Sequence, residues 1–186
     1  MRTGPKQQGD LDGLCGVYAV LNAVASLASE FGRDKQAKLF EQLIEAVYEQ
    51  RKGRKREGGV SFVYRGVEPK DVGAMLDVAS KFARKRLGFE LTWKKGLPGR
   101  SANRKIQRFW QKIEEHLNKG PAIVVYNGPE EGESHWTCIV ESKERVVRLR
   151  DSTGLKTLRK TGGTLGETVK GKRQFYWKAV FLLSRA

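Results

Sequence analysis

The spacing of apolar residues changes at Gly120-Pro121, and this change limits the folds open to the chain. Before that point, apolar residues recur at the three- and four-residue spacing of helices. After it, β-branched and aromatic residues gather in short runs separated by turn residues, at 122–126, 135–140, 145–151 and 174–183. The connections between these runs are too short for crossover helices, so we expect a mainly antiparallel sheet. The pattern predicts an α+β protein.

Local signals set the expected bounds of the elements before residue 120. The predicted elements are a helix from Cys15, a helix with Asp34 as N-cap that ends near Gly53, an extended piece at 60–64, a helix with Pro69 in its first turn that ends at Gly88, a strand at 89–93, and a helix capped by Ser101 and ended by Gly120-Pro121. We expect one domain over residues 1–186, with a mainly helical lobe at 1–120 and a β-sheet lobe at 121–186.

Composition excludes several classes of protein. A hydrophobic content of 39% with four Trp, eight Phe and five Tyr is that of a globular chain. There is no apolar run of the roughly 18 residues that a membrane helix needs, and the first residues contain no apolar export segment. Two cysteines cannot form a disulfide framework. We therefore expect a cytoplasmic protein that does not bind membranes, although delivery by a specialised secretion system would leave the same pattern.

The net charge of +15 points to a polyanion as a partner. The excess lies in blocks such as "RKGRKR" (51–56), "ARKRLG" (83–88) and "LRKTGG" (158–163). No nucleic-acid motif accompanies these blocks. They predict either weak binding of nucleic acid or another polyanion, or simply solvated basic faces.

The segment "QQGDLDGLCGVYAVLNAV", which starts at Gln7, places Cys15 at the first turn of the first predicted helix. The positive end of a helix dipole favours a thiolate over a thiol. Gly13 and Gly16 flank the cysteine and allow another group to approach it closely. Cys15 is therefore a candidate nucleophile.

A nucleophilic cysteine needs a base, and the chain has only two histidines. His116 lies near the end of a predicted helix and is better explained as a surface residue. His135 starts the strand "HWTCIV", and Asp151 ends the neighbouring strand in "RLRDSTG". Side chains alternate along a strand, so Cys138 faces away from His135 and is interpreted as a core residue. The order Cys–His–Asp is one that activates a thiol.

These motifs resemble the papain-like cysteine peptidase superfamily. A Gln upstream of "CG", a helix that starts at that Cys, and "HW" and "DS" on later strands are most similar to small bacterial members, such as the bacteriocin-leader-processing branch. The resemblance implies a papain-like fold with Cys15 as nucleophile, His135 as general base and acid, and Asp151 as the orienting carboxylate. It also implies that Gln8 donates its amide to the oxyanion hole together with the Cys15 backbone N–H. Gln7 is an alternative for this role.

The expected activity is that of a thiol hydrolase, a cysteine peptidase or isopeptidase that cleaves a peptide or protein substrate through an acyl-enzyme. One alternative keeps the triad in a deamidase, a transglutaminase-like enzyme or an acyltransferase. A second is a catalytically inert protein of the same fold that binds polyanions. No cofactor and no metal are expected, because two His and two Cys, with Cys138 facing away from His135, do not make a ligand cluster.

Overall fold

The computed structural model describes residues 13–52, 61–97, 105–128 and 134–186. The helices of this part of the chain are α1 (Cys15–Leu27), α2 (Arg33–Arg51), α3 (Phe62–Arg65), α4 (Pro69–Phe82) and α5 (Ile106–Leu117), and a π-helical turn at Ala83–Leu87 extends α4. The strands are β1 (Leu91–Lys95), β2 (Ala122–Asn127), β3 (Ser134–Ser142), β4 (Val146–Arg150), β5 (Thr157–Arg159), β6 (Gly163–Leu165) and β7 (Arg173–Arg185).

The strands form one sheet with the order β1-β7-β2-β3-β4-β5. These neighbours are all antiparallel, and β6 adds a short parallel pairing with β7. The α+β prediction is confirmed as a mixture of helices with a mainly antiparallel sheet. Strand β1 comes from the first 120 residues and pairs with β7, so the sheet takes residues from both predicted lobes. The division into a domain with two lobes stays a prediction.

The two faces of the sheet are covered by different helices. One core lies between the sheet and the helices α1, α2 and α4, and it includes Trp136, Cys138 and Phe181. The other core lies between the sheet and α5, and it includes Ile139 and Phe175. We call these the α1 face and the α5 face. Alternation along β3 sends Trp136 and Cys138 to the first and Ile139 to the second, as the sequence predicted.

The second helix differs from its prediction at its N-terminus, and it ends near the expected position. Gly32, in extended conformation, is the N-cap of α2, and Asp34 lies in the first turn instead of capping it. The carboxylate there still lies at the positive end of the helix dipole. The helix ends at Arg51, whose side chain is buried in an ion pair with Asp71 of α4.

The extended piece predicted at 60–64 is wrong for the described residues, because Phe62–Arg65 forms one helical turn. Phe62 is fully buried, and its ring lies under the Arg51 guanidinium at 5.9 Å. Burial of this ring overrides the strand preference of the β-branched residues around it.

The remaining elements agree more closely with prediction. Pro69 starts α4, and Gly88 ends its π-helical extension in the left-handed conformation (φ 72°). The strand expected at 89–93 is shifted to Leu91–Lys95. Helix α5 starts at Ile106 and ends at Leu117, before Gly120-Pro121, and Ser101 lies outside the described residues.

All four strand predictions after residue 120 are confirmed. The three-residue strands β5 and β6 were not predicted, because each is too short to show alternation. In the described part of the chain, no helix has both the length and the apolar character needed to cross a membrane.

Candidate active site

Cys15 is the first residue of α1, and its side chain is 6% exposed. The two nearby glycines allow this turn to pack closely against other segments. A Cβ atom at Gly16 would lie 2.1 Å from Val67 Cγ2, and one at Gly13 would lie 2.7 Å from the Gly66 nitrogen. The Gly13 N–H also donates to the Val63 carbonyl. The glycines therefore hold the start of α1 against the segment that follows α3.

Trp136 joins Cys15 to the sheet. Its backbone N–H donates to Cys15 Sγ at 3.5 Å, and its indole Nε1 donates to the Val67 carbonyl at 2.9 Å. The indole is 3% exposed and lies beside Gly16. Trp136 thus fixes the sulfur next to the first residues of β3.

His135 and Asp151 meet at one end of the neighbouring strands β3 and β4. The distance from His135 Nε2 to Asp151 Oδ2 is 2.7 Å. The other carboxylate oxygen, Oδ1, accepts from the backbone N–H and the hydroxyl of Thr153, at 2.8 and 2.6 Å. The Asp151 side chain is fully buried, whereas that of His135 is 16% exposed. The carboxylate is therefore held in place from both sides.

In this pair the pKa of Asp151 is lowered and the pKa of His135 is raised. Burial opposes the charge on Asp151, but the hydrogen bonds from His135 and Thr153 outweigh it and lower the pKa of the carboxyl to about 2. Burial also opposes the charge on His135, but side-chain hydrogen bonds to Asp151 and Cys15 raise its pKa to about 9. At neutral pH the site holds an imidazolium between a carboxylate and the Cys15 sulfur.

Three of the four predicted catalytic residues therefore come together in the structure: Cys15, His135 and Asp151. Gln8, and its alternative Gln7, lie outside the described residues. The other cysteine and the other histidine, Cys138 and His116, lie outside this group. Cys138 is fully buried, which raises the pKa of its thiol to about 12, and His116 contacts the Leu183 carbonyl through Nε2 at 2.8 Å on α5.

Tyr126 is a neighbour of the site that sequence reasoning missed. It pairs with His135 in the register of β2 and β3, and the two rings meet edge to face with centroids 5.6 Å apart. Burial and the charge of Asp151 raise the pKa of its hydroxyl to about 12. The Arg173 guanidinium lies over the Tyr126 ring, 5.7 Å from its centroid. The contact could not be predicted from the sequence, because it depends on the register of β2 and β3.

A polar network, also missed, lies beside the start of β3. Asn127 pairs with Ser134, and its Nδ2 donates to Tyr176 Oη at 2.6 Å and to Gln174 Oε1 at 3.1 Å. Tyr176 in turn donates to the same Gln174 oxygen at 2.7 Å. Alternation along β2 puts Asn127 on the α1 face, opposite to Tyr126. These residues add fixed polar groups next to His135 on the cysteine side of the sheet.

Among the residues that the structure describes, no group of three or more His, Cys, Asp or Glu side chains could hold a metal ion. No family model, curated protein or solved structure matches the chain. Inferences about function therefore rest on the geometry and chemistry of the site itself.

Proposed function

We propose that this protein is a thiol hydrolase in which Cys15, His135 and Asp151 act as a catalytic triad, and that its fold is papain-like. The observation that carries the proposal is the position of His135, which bonds to Asp151 through Nε2 at 2.7 Å and is followed in β3 by Trp136, whose backbone N–H donates to Cys15 Sγ. An imidazole with one nitrogen on a carboxylate and the other side turned to a thiol is the arrangement that activates a cysteine. A nucleophile at a helix start, packed on an antiparallel sheet that carries the other two residues, supports the papain-like assignment.

The raised pKa of His135, about 9, sets the resting state of the proposed reaction. In the proposed reaction this imidazolium stabilises the attacking sulfur of Cys15 as a thiolate. The thiolate attacks the carbonyl carbon of a peptide or isopeptide bond, the C–S bond forms, and the π electron pair moves to oxygen. When the tetrahedral intermediate collapses, the C–N bond breaks and His135 gives its proton to the leaving nitrogen. The products of this half-reaction are a thioester on Cys15 and a free amine.

In the second half-reaction water attacks the thioester, and its proton goes to His135 as the C–S bond breaks. Asp151 stays ionised throughout, since its pKa of about 2 is far below that of His135. The backbone N–H of Cys15 is one of the first-turn amides that have no acceptor within the helix, and it can donate to the oxyanion. We propose Gln8 as the second donor.

Selective alkylation of the two cysteines tests the nucleophile. Brief, limiting iodoacetamide at neutral pH, followed by mass spectrometry of both sites, should modify Cys15 at least about 10-fold faster than Cys138. Cys138 is the internal control, since its thiol is fully buried and its pKa is about 12. His135→Ala should slow the labelling of Cys15. Equal labelling of both residues in the folded protein would remove Cys15 as the nucleophile.

The acceptor of the acyl group separates the hydrolase from its alternatives. A peptidase or isopeptidase yields a cleaved chain, whereas a deamidase changes the mass of a glutamine by one dalton and a transglutaminase-like enzyme or an acyltransferase yields an adduct. Incubation of wild type and Cys15→Ala with a mixed peptide library, read by mass spectrometry, distinguishes these products. A library left unchanged by wild type, together with an unreactive Cys15, would favour the inert polyanion-binding alternative.

A further inference from the structure

Helix α5 presents a row of basic side chains on the face of the sheet opposite to Cys15. Lys105, Arg108 and Lys112 follow each other at spacings of three and four residues, so they share one side of the helix. Lys119 follows Lys112 by seven residues, about two helical turns, and lies just beyond the end of α5. Lys105, Arg108 and Lys119 are exposed, and Lys112 is partly buried at 24% exposure.

Two surface grooves run along this row and meet at Lys112. One has a volume of about 590 Å³ and is lined by Lys105, Gln107, Arg108, Gln111 and Lys112. The other, of about 480 Å³, lies between α5 and β1, and its lining includes Lys94, Lys95, Lys112 and Lys119. We call the two together the α5 groove.

Most of the charge in the α5 groove has no acidic partner among the described residues. Lys112 pairs with Glu115 at 2.6 Å, but Lys94, Lys105, Arg108 and Lys119 form no such ion pair. The opposite side of α5 differs, because Glu114 there pairs with Lys160 at 2.5 Å and accepts from the Ser142 hydroxyl at 3.0 Å. The uncompensated positive charge is therefore confined to the groove side of the helix.

We propose that the α5 groove binds the phosphodiester backbone of a nucleic-acid duplex without reading its sequence. From Lys105 to Lys119 the row extends about 20 Å at the rise of a helix, which is too long for a single small anion. A duplex carries one negative charge per roughly 1.7 Å of its axis, so it can face every cation of the row at once. Gln107 and Gln111 add amide donors for phosphate oxygens.

The groove favours a duplex over a single strand because the described residues that line it offer no free aromatic surface for bases to stack on. Trp93 lines one end, but its ring packs against Phe181 at 5.8 Å between centroids. Its Nε1 is also held by Asp77 Oδ1 at 3.2 Å. Single-strand binders depend on such stacking platforms. Binding in the groove does not involve the thiol, so this inference goes beyond the proposed hydrolase and does not depend on it.

Fluorescence anisotropy with a labelled 20-bp DNA duplex and its RNA counterpart tests the groove. In Lys94→Glu/Arg108→Glu/Lys119→Glu, the Kd at about 0.15 M salt should rise at least about 100-fold. The slope of log K against log salt should become shallower by about 3 for the loss of three phosphate contacts. The matched control is Lys35→Glu/Lys38→Glu/Lys81→Glu, which makes the same change of charge at exposed positions of α2 and α4. Its Kd should change only a few-fold, and Cys15→Ala should bind as tightly as wild type.

Three results would overturn the inference. An equal loss of binding in the control variant would mean that net charge alone attracts the duplex. The absence of measurable binding by wild type at about 50 mM salt would rule out a site, and tighter binding of linear polyphosphate or single strands than of either duplex would exclude the assigned partner. Circular dichroism and the Cys15 alkylation rate establish that each triple variant is folded.

Discussion

The α1 face and the α5 face of the sheet differ in the polar groups that they bury. The α1 face contains buried polar groups with specific partners, such as the Trp136 indole on the Val67 carbonyl and Arg51 on Asp71 at 2.5 Å. The α5 face has edge-to-face and tilted aromatic contacts, with Phe109 4.9 Å from Trp110 and 5.4 Å from Phe175, and one buried indole, that of Trp177, donates to the Leu97 carbonyl at 2.8 Å. Both faces thus combine ring contacts with indole–carbonyl hydrogen bonds. The α1 face differs in that it also buries the Arg51–Asp71 ion pair and the Cys15 thiol.

The two histidines differ in the direction in which their pKa values are shifted. For His135, the bond to Asp151 and the nearby Cys15 outweigh burial and raise the pKa to about 9. For His116, burial lowers the pKa and outweighs the bond to the Leu183 carbonyl. One sheet therefore carries a charged imidazole at the candidate site and a neutral one under α5 at pH 7. A nearby carboxylate decides the direction of the shift, since both rings lose water.

The largest expected effect falls on the candidate site, where Cys15 of the α1 face meets His135. Cys15→Ala and His135→Ala should each lower hydrolysis of a simple acyl substrate such as 4-nitrophenyl acetate by about 10³-fold or more, and the double variant should lose no more than either single one. Cys15→Ala should melt within a few degrees of wild type, because a thiol supplies little packing, whereas His135→Ala should melt lower, because it leaves the buried Asp151 carboxylate without its partner. Cys138→Ala is the control, since it should lower the melting temperature but keep activity in the folded protein. Full activity in Cys15→Ala would exclude the proposed mechanism.

On the α5 face the largest effect should be on stability. Phe109 is fully buried among Trp110, Phe175 and Trp177, so Phe109→Ala should lower the free energy of unfolding by about 3–5 kcal/mol. Denaturant unfolding measures this, with Tyr64→Ala as a control of about 0.5 kcal/mol or less, because Tyr64 is 78% exposed. The alkylation rate of Cys15 should not change in the folded protein. A slower rate would mean that the two faces are coupled.

The sequence predicted the helices and strands better than it predicted the contacts between them. The apolar periodicity of α1, α4 and the four long strands predicted those elements, and strand alternation separated Cys138 from His135. Contacts made at long range had no local pattern. The bond from the Trp136 amide to Cys15 Sγ joins residues 121 positions apart, and Tyr126 meets His135 only through the register of two strands.

The errors have a common physical cause. The helical turn at Phe62–Arg65 forms because Phe62 is buried beneath Arg51, and that contact depends on how α2 and α4 pack. Local residue preference favours a strand there and is overridden. The short parallel pairing of β6 with β7 depends likewise on the path of the chain and not on a pattern within three residues.

The pH dependence of stability should separate the two histidines. The pKa of His135 is raised, so its imidazolium stabilises the folded state fully below its ordinary pKa of 6.5, and this contribution is lost as the pH rises through about 9. Asp151 has a lowered pKa, so its contribution is present above 3.8 and is lost as the pH falls through about 2. The pair is therefore fully effective between about pH 4 and 6.5.

Asp151→Asn should return the pKa of His135 toward its ordinary value, and it should flatten the fall in unfolding free energy between pH 6.5 and 9, a change of up to about 3 kcal/mol. Proton NMR of the two imidazole rings measures both values in one sample. His116 should keep its low pKa and serves as the control. If His135 still titrates near 9 in this variant, Asp151 is not the cause of its shift.

The smallest expected effects are changes in the free energy of unfolding when two helical glycines on the α1 face, Gly16 and Gly73, are replaced by alanine. In Gly16→Ala, the new methyl would lie 2.1 Å from Val67 Cγ2, so the stiff valine or the start of α1 must move, and we expect a loss of about 1–3 kcal/mol. In Gly73→Ala, the nearest atom is Trp93 Cη2 at 3.5 Å, an ordinary contact. That change should instead stabilise α4 by about 0.5–1 kcal/mol, because alanine favours a helix more than glycine does. Denaturant unfolding gives both signs, and iodoacetamide labelling should be altered at Cys15 only in Gly16→Ala. Stabilisation by Gly16→Ala would mean that close packing against Val67 does not determine where α1 begins.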